Sequence, residues 1–235
     1  MSNTTTPPRP LVGTFPAYAQ HQTTLGLRFT GQPSLRISID YGFHDAATDA
    51  LVFKVASKNN AIHVRKELQD NSGKPLIVLN KKIISVHTKF EGLEPSSGAH
   101  MLTVTSSFGK VTASYVNAMT RQREEIQYTV CSKLGKLLDN VDFTLGDEGR
   151  TVASLTRTAS TAGRFEYSLT VMPGVDVALM AALCICVDVQ SNENHVHGGV
   201  EGREVPDVGD GVEDGGGGGE GTRGGLGGVG RSDVS

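Results

Sequence analysis

The chain lacks tryptophan, has three cysteines, and has no uninterrupted apolar run long enough to cross a bilayer. Its longest such run, Val177–Val187, is bounded by Asp176 and Asp188. A spanning helix needs roughly 20 mainly apolar residues, whereas a run of roughly 10 to 14 marks a buried core helix. No basic cluster flanks the run as a cytoplasmic anchor; the residues after it, 190–194, are polar and neutral to acidic. The run therefore reads as a helix buried on every side. The cysteines are Cys131, Cys184 and Cys186, and the opening residues hold no apolar signal segment. That odd count argues for a reducing, cytoplasmic setting. Cys184 and Cys186 sit two apart. On a helix they point about 200° from each other, as two small core residues and not as a metal pair.

Concentrated positive charge is also missing. The net charge of −3 hides a division. The stretch from His197 to Ser235 holds 16 of the 29 glycines, eight acidic residues, three arginines and no aromatic ring. It carries −5, which leaves +2 on the rest. A segment of that composition cannot bury enough apolar surface to offset its chain entropy, so residues 196–235 are expected to be a disordered acidic tail. Residues 1–10, rich in Thr and Pro, are expected to be a disordered arm. Residues 11–195 suffice for one domain with a sizeable core. An excess of two positive charges does not make the basic face that nucleic-acid binding needs.

Nor does a catalytic constellation stand out. No Ser/His/Asp set, zinc spacing or phosphate loop is present, so no catalytic residue, metal or cofactor is expected, and the chain reads as a non-enzyme. The tail satisfies glycine patterns by composition alone, with no strand before it. His195 and His197 lack further ligands. His63, His87 and His100 fall in strand-like segments as packed or surface residues. Asp139, Asp142, Asp147 and Glu148 lack the alternate spacing of a calcium loop and read as a solvated turn.

What is present is strand after strand. Leu35, Ile37 and Ile39 alternate with polar residues, and Leu51, Phe53 and Val55 repeat the pattern. Ile62–Leu68 and Pro75–Leu79 flank a turn at Asp70–Gly73. Lys82–Phe90 reads as one strand with Ile84, Val86 and Phe90 on a face. His100–Ser106, Lys110–Val116, Gln127–Leu134, Val141–Leu145, Thr151–Arg157 and Phe165–Val171 follow. The spacing predicts about twelve strands, all before one strong helix. An eight-stranded barrel holds only side chains, whereas a larger one has room for a helix about 10 Å across. The expected fold is mainly β: a closed antiparallel barrel of about twelve strands around a central hydrophobic C-terminal helix at about 173–190. Pro173 and Gly174 suit the chain's entrance to that helix, and Asp176 suits its positive N-terminus.

Several blocks, in order, resemble the LURP-one-related family of the tubby C-terminal-like superfamily. They are Phe15-Pro16 before a Leu-rich strand, Leu51–Val55 ("LFKV"), Leu68–Leu76 ("LxDxxGxPL"), Lys81–His87 ("RKxxSLH"), and Tyr167–Val171 followed by Pro173–Asp176 ("YxxxVxPGVD"). The resemblance covers about residues 11–190. The chain departs from it in having Phe90 where the family often has Trp, a variable-looking loop at Gly92–His100, and the glycine tail. It implies an intracellular, monomeric interaction module with an unidentified protein partner. Tubby domains hold phosphoinositide head groups through Lys and Arg on the barrel wall. By that resemblance Lys81, Lys82 and Lys89, in one hairpin, and Arg121 and Arg123, in a loop, are the candidate lipid-binding residues on a membrane surface. The alternative is a phospholipid scramblase-like protein, although the palmitoylation runs and calcium motif of that relative are absent.

Overall fold

The structure, a computed structural model, describes residues 11–31, 40–57, 64–84, 87–107, 110–130, 139–146, 149–159 and 165–198. Twelve strands lead into one helix. They are β1 (Leu25–Thr30), β2 (Tyr41–Asp45), β3 (Leu51–Ser57), β4 (Arg65–Asp70), β5 (Pro75–Ile84) and β6 (His87–Leu93). Next come β7 (His100–Ser107), β8 (Lys110–Val116), β9 (Arg123–Thr129), β10 (Asn140–Leu145), β11 (Arg150–Ala159) and β12 (Phe165–Val171). The helix α1 spans Val177–Gly198. Each strand runs antiparallel to its chain neighbours, and β12 pairs with β1 to close the barrel.

Alternation decides which side chains go inside. Phe90, Val104, Ala113 and Ile126 lie opposite one another across β6 to β9 and are at most 2 % exposed. Such rows wrap around α1, where every residue from Val175 through Ser191 is buried. Ala178, Ala181, Ala182, Cys184 and Cys186 keep the helix thin where it meets the wall. Closure gives every strand a neighbour on both sides, so no strand is left as the full-length free edge that an open sheet would expose to aggregation.

The loops where α1 begins gather at one end of the barrel, together with the turns after β8 and β10. The hairpin between β5 and β6 is at the opposite end, because antiparallel strands alternate direction. The β4–β5 turn is the one expected: Asp70 Oδ1 accepts from Ser72 N and Lys74 N at 2.9 Å each, and Gly73 adopts a φ of +89°.

Four expectations need correction. Lys82–Phe90 is not one strand. Lys81 pairs with Phe90 and Lys82 with Lys89, so the chain reverses between β5 and β6. No Gly, Pro or Asn marks that reversal, so periodicity ran across it, and Val86 lies outside the described residues. Arg123 opens β9 and is not in the loop, and the strand ends at Thr129; the expected stretch to Leu134 runs into residues 131–138, outside the description. Gly92 and Leu93 belong to β6. A Cβ at Gly92 would lie 2.7 Å from Ile77 Cδ1 and 2.9 Å from Leu102 Cβ, so a glycine that looked like loop is a close-packing position. The helix starts at Val177 and runs to Gly198, beyond Gln190. His63, Leu35, Ile37, Ile39, Cys131, Asp147 and Glu148 lie outside the described residues, as do residues 1–10 and 199–235.

Candidate functional site

The structure does not bring the five predicted basic residues together. Lys81 lies in register with inward-facing Phe90 and is only 7 % exposed. Burial pushes its pKa down to about 8. Lys82 and Lys89 are cross-strand neighbours on the outward face, and both pair with Glu91, Lys89 Nζ at 3.1 Å from Glu91 Oε1. Arg121 and Arg123 are exposed at the other end, where Arg121 takes a φ of +60° in the β8–β9 turn.

That other end is closed by the segment before β1. Val12 bridges to Val175, and Ala118 N donates to Gly13 O at 2.9 Å. Asp176 fastens the joint. Its Oδ1 accepts from Ala178 N (2.9 Å) and Leu179 N (3.1 Å), the second and third helical residues, as an N-cap does. Its Oδ2 accepts from Thr14 N (2.9 Å) and Phe15 N (2.6 Å). Gly13 adopts a φ of +143°, and any Cβ there would strike the Asp176 side chain. Buried Asn117 donates to Leu11 O at 3.0 Å and to Glu124 Oε1 at 2.8 Å.

A concave feature lies on the opposite wall. Between β1 and β2 the ladder holds only Leu27 with Asp45 and Arg28 with His44, although β1 pairs with β12 along all six residues. Beyond Arg28 the two strands part, and a cleft of 440 Å³ lies there. Thr156, Ser168, Arg28 and His44 form one cross-strand row on its rim. Glu166 and Asp49 add carboxylates, and Arg28 Nη2 lies 3.0 Å from Asp49 Oδ1. Phe29, Tyr41 and Tyr167 line its inner side; the Phe29 and Tyr167 rings stack at 4.6 Å.

Local sequence explains the shape. Asp45 Oδ1 accepts from Ala47 N, Thr48 N and Thr48 Oγ1 at 2.8–3.0 Å, which folds the β2–β3 turn. The turn holds Asp49 at a φ of +59°, a conformation Asp tolerates better than most residues. The β2–β3 ladder carries a bulge beside His44, with the extra residue, Val52, on β3. Gly31, just past β1, has no room for a side chain, because a Cβ would meet Asp188 and Tyr167. No sequence motif marked Arg28, His44, Asp49 or Glu166; only the pairing of distant strands assembles them.

The match to known proteins follows this architecture. The model of the LURP-one-related family matches residues 29–188, from β1 well into α1. The chain belongs to the LURP-one-related family. The X-ray structure of an Arabidopsis thaliana protein superposes on this LURP-one-related chain with a TM-score of 0.54 at 20 % identity, covering 75 % of this chain and 96 % of that one. That likeness supports the tubby-like barrel and nothing finer. Comparison with the curated proteins gives no match. Among the described residues of this LURP-one-related barrel, no helix is long and apolar enough to cross a membrane. No group of three or more His, Cys, Asp or Glu among them could hold a metal ion.

Inside the barrel, near the end where α1 leaves, lies a lysine that sequence patterning did not single out. Lys66 is in register with inward-facing Leu79, is 2 % exposed, and donates to Ser57 Oγ at 2.8 Å. Burial lowers its pKa to about 8, with the charges of Asp188 and Asp40 acting the other way. For Lys66 and Lys81 the unfolded chain therefore binds more protons between about pH 8 and 10.5, so stability rises with pH through that window. Above about pH 9 the buried Cys184 and Cys186, raised by burial, oppose the rise, because only their unfolded forms ionise there. Thermal melting between pH 8 and 9 is expected to show an upward slope that Lys66→Met reduces. An unchanged slope would mean that Lys66 is charged and solvated in the folded state.

Proposed function

We infer that this LURP-one-related protein is a non-enzymatic binding module that acts through its outer wall. The supporting observation is that α1 occupies the barrel interior with every residue from Val175 to Ser191 buried, so that among the described residues the helix fills the space a substrate chamber would need. The concave surface at β1 and β2 is on the outside. Within this reading, contact with phosphoinositide-bearing membrane rests on Lys82 and Lys89, which stand side by side on the outward face. Glu91 between them offsets part of their charge. Lys81 faces inward, and Arg121 and Arg123 lie at the far end, so neither joins that contact.

Co-sedimentation with phosphatidylcholine vesicles doped with phosphatidylinositol bisphosphate tests it. Each basic group near an anionic surface contributes about 1 kcal/mol. Lys82→Glu/Lys89→Glu is then expected to lower binding at least about tenfold, and Arg121→Glu/Arg123→Glu to leave it unchanged. Equal loss in both variants would replace a local patch with a diffuse field. No binding by the wild type would remove lipid from the reading and leave the binding module.

A further inference from the structure

The net charge beyond α1 is concentrated. Of the eight acidic residues between His197 and Ser235, six lie in residues 201–214 with Arg203 as their one counter-charge, whereas residues 215–235 set two acids against two arginines. The whole −5 therefore sits in a segment that begins three residues after Gly198, the last residue of the helix. Five of the six acids, Glu201, Glu204, Asp207, Asp210 and Glu213, recur at every third position around Pro206. A polyproline-type extended chain turns once in about three residues and rises about 3.1 Å per residue, so it would carry these carboxylates along one edge about 9 Å apart.

The barrel offers the opposite sign at the end where this segment emerges. On the outward face of β5 to β8 the Lys, Arg, Asp and Glu residues are Lys82, Lys89, Lys110 and a single carboxylate, Glu91. Lys82 and Lys89 are cross-strand neighbours that share Glu91. Lys110 opens β8 in register with Ser107, nearer the same end, and is exposed. Three cations against one carboxylate leave this wall positive. Two strands separate β6 from β8, so their lysines stand about 10 Å apart across the sheet, close to the spacing of the carboxylates. Farther round the same end the sign changes. Arg157 is held by Asp139 at 3.4 Å, and Asp142 and Glu166 add carboxylates on β10 and β12. An acidic stretch of chain meets like charge there and opposite charge on β5 to β8.

We propose that the acidic segment Glu201–Asp214 of this chain docks on its own barrel wall across Lys82, Lys89 and Lys110, and competes there with anionic membrane. A single exposed ion pair holds little. A segment tethered beside its target, however, acts at an effective concentration in about the millimolar range, and several pairs form together. The docking follows from charge and attachment alone. The competition rests on the lipid reading of Lys82 and Lys89 and gives that site its regulation. Salt screens both contacts, whereas removing the charge of the segment frees the wall for the membrane.

Zero-length carbodiimide coupling of the full-length chain, mapped by mass spectrometry, tests the docking, because it joins only a carboxyl and an amine that touch. At low ionic strength the carboxyls of residues 201–214 are expected to couple to Lys82, Lys89 and Lys110 at least about tenfold more than to Lys54 and Lys74, which are exposed elsewhere on the barrel. Salt at about 0.5 M is expected to abolish that preference. Coupling spread evenly over these lysines would overturn the proposal. The phosphatidylinositol bisphosphate vesicles test the competition. In the full-length chain, Glu201→Gln/Glu204→Gln/Asp207→Asn/Asp210→Asn/Glu213→Gln/Asp214→Asn is expected to tighten vesicle binding about tenfold, and far less when Lys82→Gln/Lys89→Gln is also present. A gain of equal size in both backgrounds would mean general repulsion by the segment and would overturn competition at these lysines. Unchanged affinity on neutralising the segment would sink the proposal and leave the lipid reading. No vesicle binding by either form, with coupling still confined to the three lysines, would sink the lipid reading and leave the docked segment.

Discussion

A chain ending at Val171 is expected to lose cooperative folding altogether and to be insoluble. The cut removes α1 and leaves twelve strands around an empty centre. Leu179, Met180, Leu183 and Ile185 are each at most 1 % exposed, and Val177, Val187 and Val189 at most 4 %. Each such side chain contributes about 1.5–3 kcal/mol by burial, so the seven together contribute about 10–21 kcal/mol, comparable with or larger than the roughly 5–15 kcal/mol that is the net stability of a whole domain. The wall loses as much again, because Leu169, Phe143, Ile126 and Leu102 would face the void. A cavity of that size neither stays dry nor collapses without breaking the ladders that close the barrel. Calorimetry and size exclusion of the fragment read the outcome, with a chain ending at Gly198, the last residue of α1, as the reference. The reference is expected to melt in one transition. A fragment that stays monomeric with a sharp transition would show that the strands hold each other without the helix.

Much of this fold was legible because its signals are local. Tyr167, Leu169 and Val171 alternate with polar residues, and the structure puts those three inside. The unbroken apolar run after Asp176 can be satisfied only by burial all round, and its length is short for a bilayer. Together these observations required a barrel with a hydrophobic centre. The β5–β6 reversal was hidden because Ser85-Val86 carries no Gly, Pro, Asn or Asp, and a lone Ser is a weak turn signal. Lys81 stood as a candidate lipid contact and Lys66 was not singled out, yet both project inward, since a strand does not say which of its faces meets a distant helix. The cleft was invisible for a stronger reason. Arg28 and Asp49 are 21 residues apart, and Glu166 lies on the last strand. They meet only because β12 closes on β1 and β2 then diverges, and a closing seam leaves no periodic trace in either strand.

Asp176→Ala is expected to cost on the order of 3–5 kcal/mol at neutral pH, more than an ordinary helix cap. Removing an N-cap costs about 0.5–2 kcal/mol. Here one carboxylate also accepts from Thr14 and Phe15, so the substitution strands four main-chain N–H groups at a closed end of the barrel. A buried donor left without a partner costs about 1–3 kcal/mol, and the four losses do not add because neighbours relax together. Gly13→Ala attacks the same joint from the other strand, pushing a Cβ against Asp176, and is expected to destabilise in the same direction. The joint also has a pH signature. Burial raises the Asp176 pKa to about 6, against the pull of the four N–H donors. Between about pH 4 and 6 the folded chain therefore holds a proton that the unfolded chain has released, so stability falls as pH rises through that window and levels off above it. Asp45, Asp70, Glu91 and Glu94 have pKa values lowered by hydrogen bonds, so their contribution is lost as pH falls below about 4.5 and leaves the upper part of the window to Asp176. Denaturant melts from pH 4.5 to 6 should slope downward in the wild type and lie flat in Asp176→Asn, which keeps the shape and cannot ionise. A wild-type curve that climbs with pH over this range would mean that the four donors outweigh desolvation and hold the carboxyl below its ordinary value.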